Sequence, residues 1–78
     1  MKRYITLKEL GVNIKAAREA AGLTPEKVGG AVGVSAECIR HAEAGKVELS
    51  IMQVVRVADV CGTTVGELLD EKQKEEEK

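Results

Sequence analysis

GLTPEKVGGAVGVSAECIRHAEAG, residues 22–45, is the stretch whose local chemistry decides the fold. Thr24 offers a side-chain oxygen to an orphan N–H of the turn that follows. Pro25 suits the first helical position because its missing N–H needs no partner there, and Glu26 suits the positive helix end. A helix therefore begins at this point. Val28 and Val32 recur four residues apart and share its inward face. Gly33 ends it, since glycine enters the left-handed backbone region without a side-chain clash. Val34 then plugs the core, and Ser35 caps a second helix from Ala36 to about Ala44 that Gly45 closes. Ile39 and Ala42 are its inward residues, while Ala36, Glu37, Arg40 and His41 fall on the opposite side. The spacing predicts two short helices joined by a tight glycine turn, with polar side chains left over on the second.

Outward from this pair, the caps divide the chain. Thr6 with Glu9 forms a capping box ahead of Leu10, Ile14 and Ala17 at helical spacing, which predicts a first helix ending at about Ala21, before Gly22. Ser50 with Gln53 and Thr64 with Glu67 repeat the box ahead of a fourth helix, Ile51 to Cys61, and a fifth. Met1 to Ile5 is the sole candidate strand. The expected class is all-α with five helices. Its central pair has the form of a helix-turn-helix, in which one helix braces against the DNA backbone while the next lies in the major groove.

From Leu7 to Leu69 the sequence resembles the lambda-repressor-like, Cro/C1-type (XRE) helix-turn-helix family. The resemblance is carried by Arg18, Gly22, Leu23 and Thr24, by the turn Gly33, Val34, Ser35, by Ile39 with Glu43, and by Gly45 with Lys46. A second block from Ser50 to Leu69 is similar to the family's fourth and fifth helices. The resemblance implies a five-helix DNA-binding domain over residues 1–69, with an N-terminal arm at 1–5 and a charged tail or helix extension at 70–78. It also implies a partly buried ion pair between Arg18 and Glu43, and a small residue at Gly29 where two helix backbones approach. The sequence departs from the family at two phosphate anchors. Pro25 stands where a glutamine often braces a phosphate, and Ala44 stands where a polar residue precedes the glycine.

Composition narrows the function classes. Seventy-eight residues suit one small domain with a thin core, and aliphatic side chains must fill that core because Tyr4 is the only aromatic. No window approaches the length of apolar chain that a membrane span needs, and no leader with a cleavage site is seen, so a cytoplasmic protein is expected. Cys38 and Cys61 lack disulfide or metal-type spacing, and both are expected to be reduced thiols, Cys61 in the core. His41 one turn from Cys38 makes a poor metal site without further ligands. A single histidine, no enclosed carboxylate pair and no phosphate-binding glycine loop argue against an enzyme, and no cofactor or small-molecule ligand is expected.

The expected partner is double-stranded DNA. Arg40 suits guanine, Glu37 can accept from cytosine N4, His41 can donate or accept, and Ala36 can touch a thymine methyl. Thr24, Lys27, Ser35 and Lys46 are the expected phosphate contacts. Twelve basic residues against thirteen acidic ones give a net charge of −1, so position matters more than the sum. Lys2, Arg3 and Lys8 lie at the basic end and suit an arm that follows the DNA backbone.

The fourth helix is apolar over a wider arc than one buried stripe requires, which predicts a homodimer through Met52, Val55 and Val60 with the fifth helix. Val47 and Leu49 form a second candidate patch. An alternative stays open: an antitoxin-like or adaptor module that uses the same scaffold to bind a protein. The acidic balance and the replaced phosphate anchors favour that alternative, while Arg40, His41 and the intact turn favour DNA. Gly30, in mid-helix without a packing reason, predicts a locally soft second helix.

Overall fold

A computed structural model of the protein describes residues 5–70. In chain order its helices are α1 (Leu7–Ala20), α2 (Pro25–Val32), α3 (Ala36–Glu43), α4 (Ile51–Cys61) and α5 (Val65–Leu68), with no strand among the described residues. Residues 1–4 of the candidate strand, among them the arm residues Lys2 and Arg3, and residues 71–78 of the charged tail lie outside them, and Ile5 is not in a strand.

Each helix starts where a hydroxyl side chain meets an orphan N–H. Thr6, Thr24, Ser35, Ser50 and Thr64 all sit in extended backbone, and each accepts from the amide three residues on. Thr6 with Glu9 and Ser50 with Gln53 form complete capping boxes. The chain reverses at Gly22, Gly33, Gly45 and Gly62, all with positive φ.

The core is aliphatic and shared by every helix. Ile14, Val28, Val32, Ile39, Ala42, Val54, Val57, Ala58 and Leu68 converge on one centre, joined by Leu49 from the α3–α4 connection. The burial of Leu49 corrects its reading as part of a surface patch, because the connection folds back and turns that side chain inward. Val47 is half-buried against the same core, as is Cys61. Asn13 is a buried polar exception. Its Nδ2 donates to the carbonyls of Leu68 and Asp70, both at 2.8 Å, and so closes the C-terminal end of α5 against α1.

Helix α3 packs on α2 and also crosses α1, and two glycines permit that second contact. A Cβ on Gly11 of α1 would lie 2.5 Å from the carbonyl oxygens of both Ala42 and Glu43, and one on Gly45 would lie 2.9 Å from Lys8 Cα. The end of α3 therefore rests directly on the backbone of α1.

Gly11 and Gly30 should respond oppositely to alanine. G11A forces backbone apart and is expected to destabilise by about 2 kcal/mol or more. G30A, with nothing within 4 Å of its added Cβ, is expected to stabilise by about 0.5–1 kcal/mol. Chemical denaturation of the two variants measures both changes.

Candidate nucleic-acid interface

The α2–turn–α3 unit is fixed at its corner by backbone. The amides of Gly33 and Val34 donate to the carbonyl of Gly29 at 2.8 and 2.9 Å, while a Cβ on Gly29 would lie 2.7 Å from the Val34 carbonyl oxygen. Glycine at 29 is thus what lets α2 and α3 meet at this distance. Cys38 of α3 is half-buried against the core rather than presented outward.

This corner gives α3 two distinct faces. Ile39 and Ala42 are buried, whereas Glu37, Arg40 and His41 are exposed together, with Ala36 half-buried beside them. The spacing of 37, 40 and 41 puts the three polar side chains within one helical turn of each other. Of the side chains read as phosphate contacts, Thr24, Lys27, Ser35 and Lys46 are all exposed. Thr24 and Ser35 accept from Lys27 N at 3.1 Å and Cys38 N at 3.0 Å, which leaves the Ser35 hydroxyl proton for a phosphate oxygen, whereas the Thr24 hydroxyl also bonds to the Glu26 carboxylate.

The exposed side chains are not independent. Arg40 Nη2 donates to Glu26 Oε2 at 2.8 Å, across from α3 to the start of α2, while Arg40 Nη1 lies 3.6 Å from Glu37 Oε1. His41 Nε2 lies 3.4 Å from the other oxygen of Glu37. The carboxyl of Glu26 is held below its usual range, first by its own backbone amide and then by Arg40, so it is ionised at neutral pH. In the sequence Glu26 reads only as a helix-end charge. Its contact with Arg40 spans fourteen residues and has no local signature.

Lys15 is a second residue that the sequence reading passes over. With Pro25, Arg40 and Ala44 it borders an open cleft of about 340 Å³ whose floor includes Arg18 and Glu43. Its signal is its place three residues before Arg18, on the same side of α1.

Arg18 and Glu43 bind α3 to α1. Arg18 Nε donates to Glu43 Oε2 at 2.6 Å and Nη2 to Oε1 at 3.1 Å, a two-pronged contact, and Nη1 donates to the Leu23 carbonyl at 2.9 Å. The two side chains are only 11% and 8% exposed. The bond to Glu43 raises the Arg18 pKa against the opposing effect of burial, so the guanidinium stays charged.

Elsewhere on the surface, Ile51, Met52 and Val55 form an exposed apolar ridge on α4, with Leu69 exposed at the end of α5. Of the residues read as dimer contacts, Met52 and Val55 lie on this ridge and Val60 is half-buried against the core. Beside the ridge an open groove of about 280 Å³ runs between Leu7, Leu10, Ile51, Val54 and Leu69. Among the described residues no helix is long and apolar enough to cross a membrane, and no three His, Cys, Asp or Glu side chains are placed to hold a metal ion.

The model of the helix-turn-helix domain family matches residues 9–71. The chain belongs to that family. Its helix order is that of the lambda-repressor-like, Cro/C1-type fold that the sequence resembles.

Solved structures agree on the fold. The chain is similar to the clp gene regulator ClgR from Corynebacterium glutamicum, with a TM-score of 0.81, 25% identity, and 88% of this chain and 73% of that one covered. It is similar in fold to the restriction-modification controller protein C.AhdI from Aeromonas hydrophila, at TM-score 0.74 and 22% identity, over 80% of this chain and 94% of that one. Hydroxypropylphosphonic acid epoxidase from S. wedmorenis also matches, at TM-score 0.77 and 25% identity, over 87% of this chain but only 36% of the epoxidase. The same scaffold therefore serves as part of a larger enzyme, and fold alone does not dictate activity. The comparison with curated proteins finds no match.

The ion pair sets the placement of the helix-turn-helix domain's exposed α3 face, so it should be costly to halve. E43Q is expected to lose about 3–5 kcal/mol of stability in a denaturant titration, because it leaves Arg18 buried without its counter-charge. R18M/E43L together should lose less than the sum of the two single changes.

Proposed function

We propose that this protein is a DNA-binding transcription regulator whose α3 lies in the major groove of a pseudo-palindromic operator, bound by a homodimer. The observation that carries the reading is the division of α3: one face buried by Ile39 and Ala42, the other offering Glu37, Arg40 and His41 within a single turn. Arg40 pairs with guanine, Glu37 accepts from cytosine N4, His41 completes the polar edge and Ala36 meets a thymine methyl. Thr24, Lys27, Ser35 and Lys46, joined by Lys15, hold phosphates and fix the register without reading sequence. No catalytic step, cofactor or small-molecule ligand is assigned, and the site of action is the cytoplasm.

The homodimer reading rests on the apolar ridge of Ile51, Met52 and Val55, with Leu69 and the groove beside it. A pseudo-palindromic site requires a twofold axis through this surface to set two α3 helices about 34 Å apart on one side of the duplex. Two modest contacts then act as one strong one, which suits a chain of net charge −1. The same ridge favours the second reading, a protein-interaction module, if its occupant is a different protein.

Salt separates the two readings. Binding to random duplex should weaken steeply between low and physiological salt, with a log–log slope of about −0.9 for each phosphate neutralised. A protein-interaction module should ignore the duplex at every salt concentration. In sedimentation the wild-type mass should rise with concentration. V55E should remain a monomer of unchanged helicity and bind a selected operator about a hundredfold more weakly.

A further inference from the structure

Resting on the DNA-binding reading, we infer that Glu26 is a positioning residue that sets sequence specificity by controlling what Arg40 binds. It occupies α2, off the recognition helix, yet its carboxylate holds the guanidinium of the one arginine on the exposed face of α3.

A long, half-exposed arginine beside a duplex goes to the nearest phosphate, because charge attraction is strong there and carries no sequence requirement. Here the guanidinium is shared between Glu26 at 2.8 Å and Glu37 at 3.6 Å. All three side chains are about half to two-thirds exposed, so the contact adds little to folding stability and its effect lies in where it holds the arginine.

The partner's charge then decides. Delivering Arg40 to a phosphate brings the Glu26 carboxylate towards a second full negative charge. Delivering it to guanine O6 and N7 presents only a neutral acceptor edge. The guanidinium has five N–H donors and Glu26 occupies one of them, so enough remain for a two-pronged guanine contact while Glu26 stays bound. Glu26 therefore penalises the phosphate contact more than the base contact. Glu37 sits on α3 and reads or repels on its own account, whereas Glu26 acts through Arg40.

The test compares wild type, E26Q, R40M and E26Q/R40M on two duplexes: the one that wild type recovers from a randomised pool, and a scrambled duplex of equal composition. E26Q is expected to bind the scrambled duplex more tightly, with its log–log salt slope steeper by about 0.9 as Arg40 moves to a phosphate. Its ratio of selected to scrambled affinity should fall by about fivefold, a share of what one good arginine–guanine pair discriminates. In the R40M background the Glu26 change should leave that ratio unaltered.

An E26Q protein that keeps the wild-type ratio overturns the inference while leaving the DNA-binding reading intact. So does an equal change of ratio with and without Arg40, since Glu26 would then be acting as a bare charge. A wild-type protein that binds neither the pool nor the scrambled duplex at low salt overturns the DNA-binding reading, and the inference falls with it.

Discussion

The seating of α3 on α1 is the constraint on which the structure turns. Gly11 and Gly45 remove the side chains that would hold the two backbones apart, and the Arg18–Glu43 pair then closes the gap with charge and hydrogen bonds. The first contact sets a distance and the second sets a rotation, because a two-pronged arginine–carboxylate contact tolerates little twist. With its end fixed in this way, and its start fixed by Ser35 and the backbone corner at Gly29, an eight-residue helix that would not persist alone becomes a rigid platform.

A thin aliphatic core makes this arrangement necessary. The described core contains no aromatic side chain, so no single large residue orients the helices, and valines and alanines pack almost equally well in several rotations. Polar contacts remove that freedom. Arg18 with Glu43 fixes α3, Asn13 fixes the end of α5, and the five hydroxyl caps fix where every helix begins. The function proposed for the outward face of α3 depends on this rigidity, since base edges are read at hydrogen-bond distance.

What the sequence disclosed follows the range of the interactions. The caps at Thr6, Thr24, Ser35, Ser50 and Thr64 are contacts over three residues, so each helix start was legible from neighbours alone. The inward faces of α2 and α3 were legible for the same reason, through Val28, Val32, Ile39 and Ala42. Contacts between distant segments were not. Nothing near Gly11 in the sequence points to the carbonyls of Ala42 and Glu43 that lie beneath it. Leu49 reads as a surface residue of a connection until that connection folds back. Asn13 meets carbonyls more than fifty residues away, and Glu26 meets Arg40 across the corner of the motif. The Arg18–Glu43 pair spans twenty-five residues and was suggested by the family resemblance rather than by spacing.

The central claim is that the exposed face of α3 is the surface that meets DNA, and amide chemical-shift mapping with a short duplex tests it most directly. The perturbed amides are expected to concentrate at residues 36–41 of α3 and at the start of α2 near Thr24 and Lys27, while Ile51, Met52 and Val55 stay unmoved at fixed oligomeric state. Perturbations confined to the α4 ridge, or none anywhere at low salt, would contradict it.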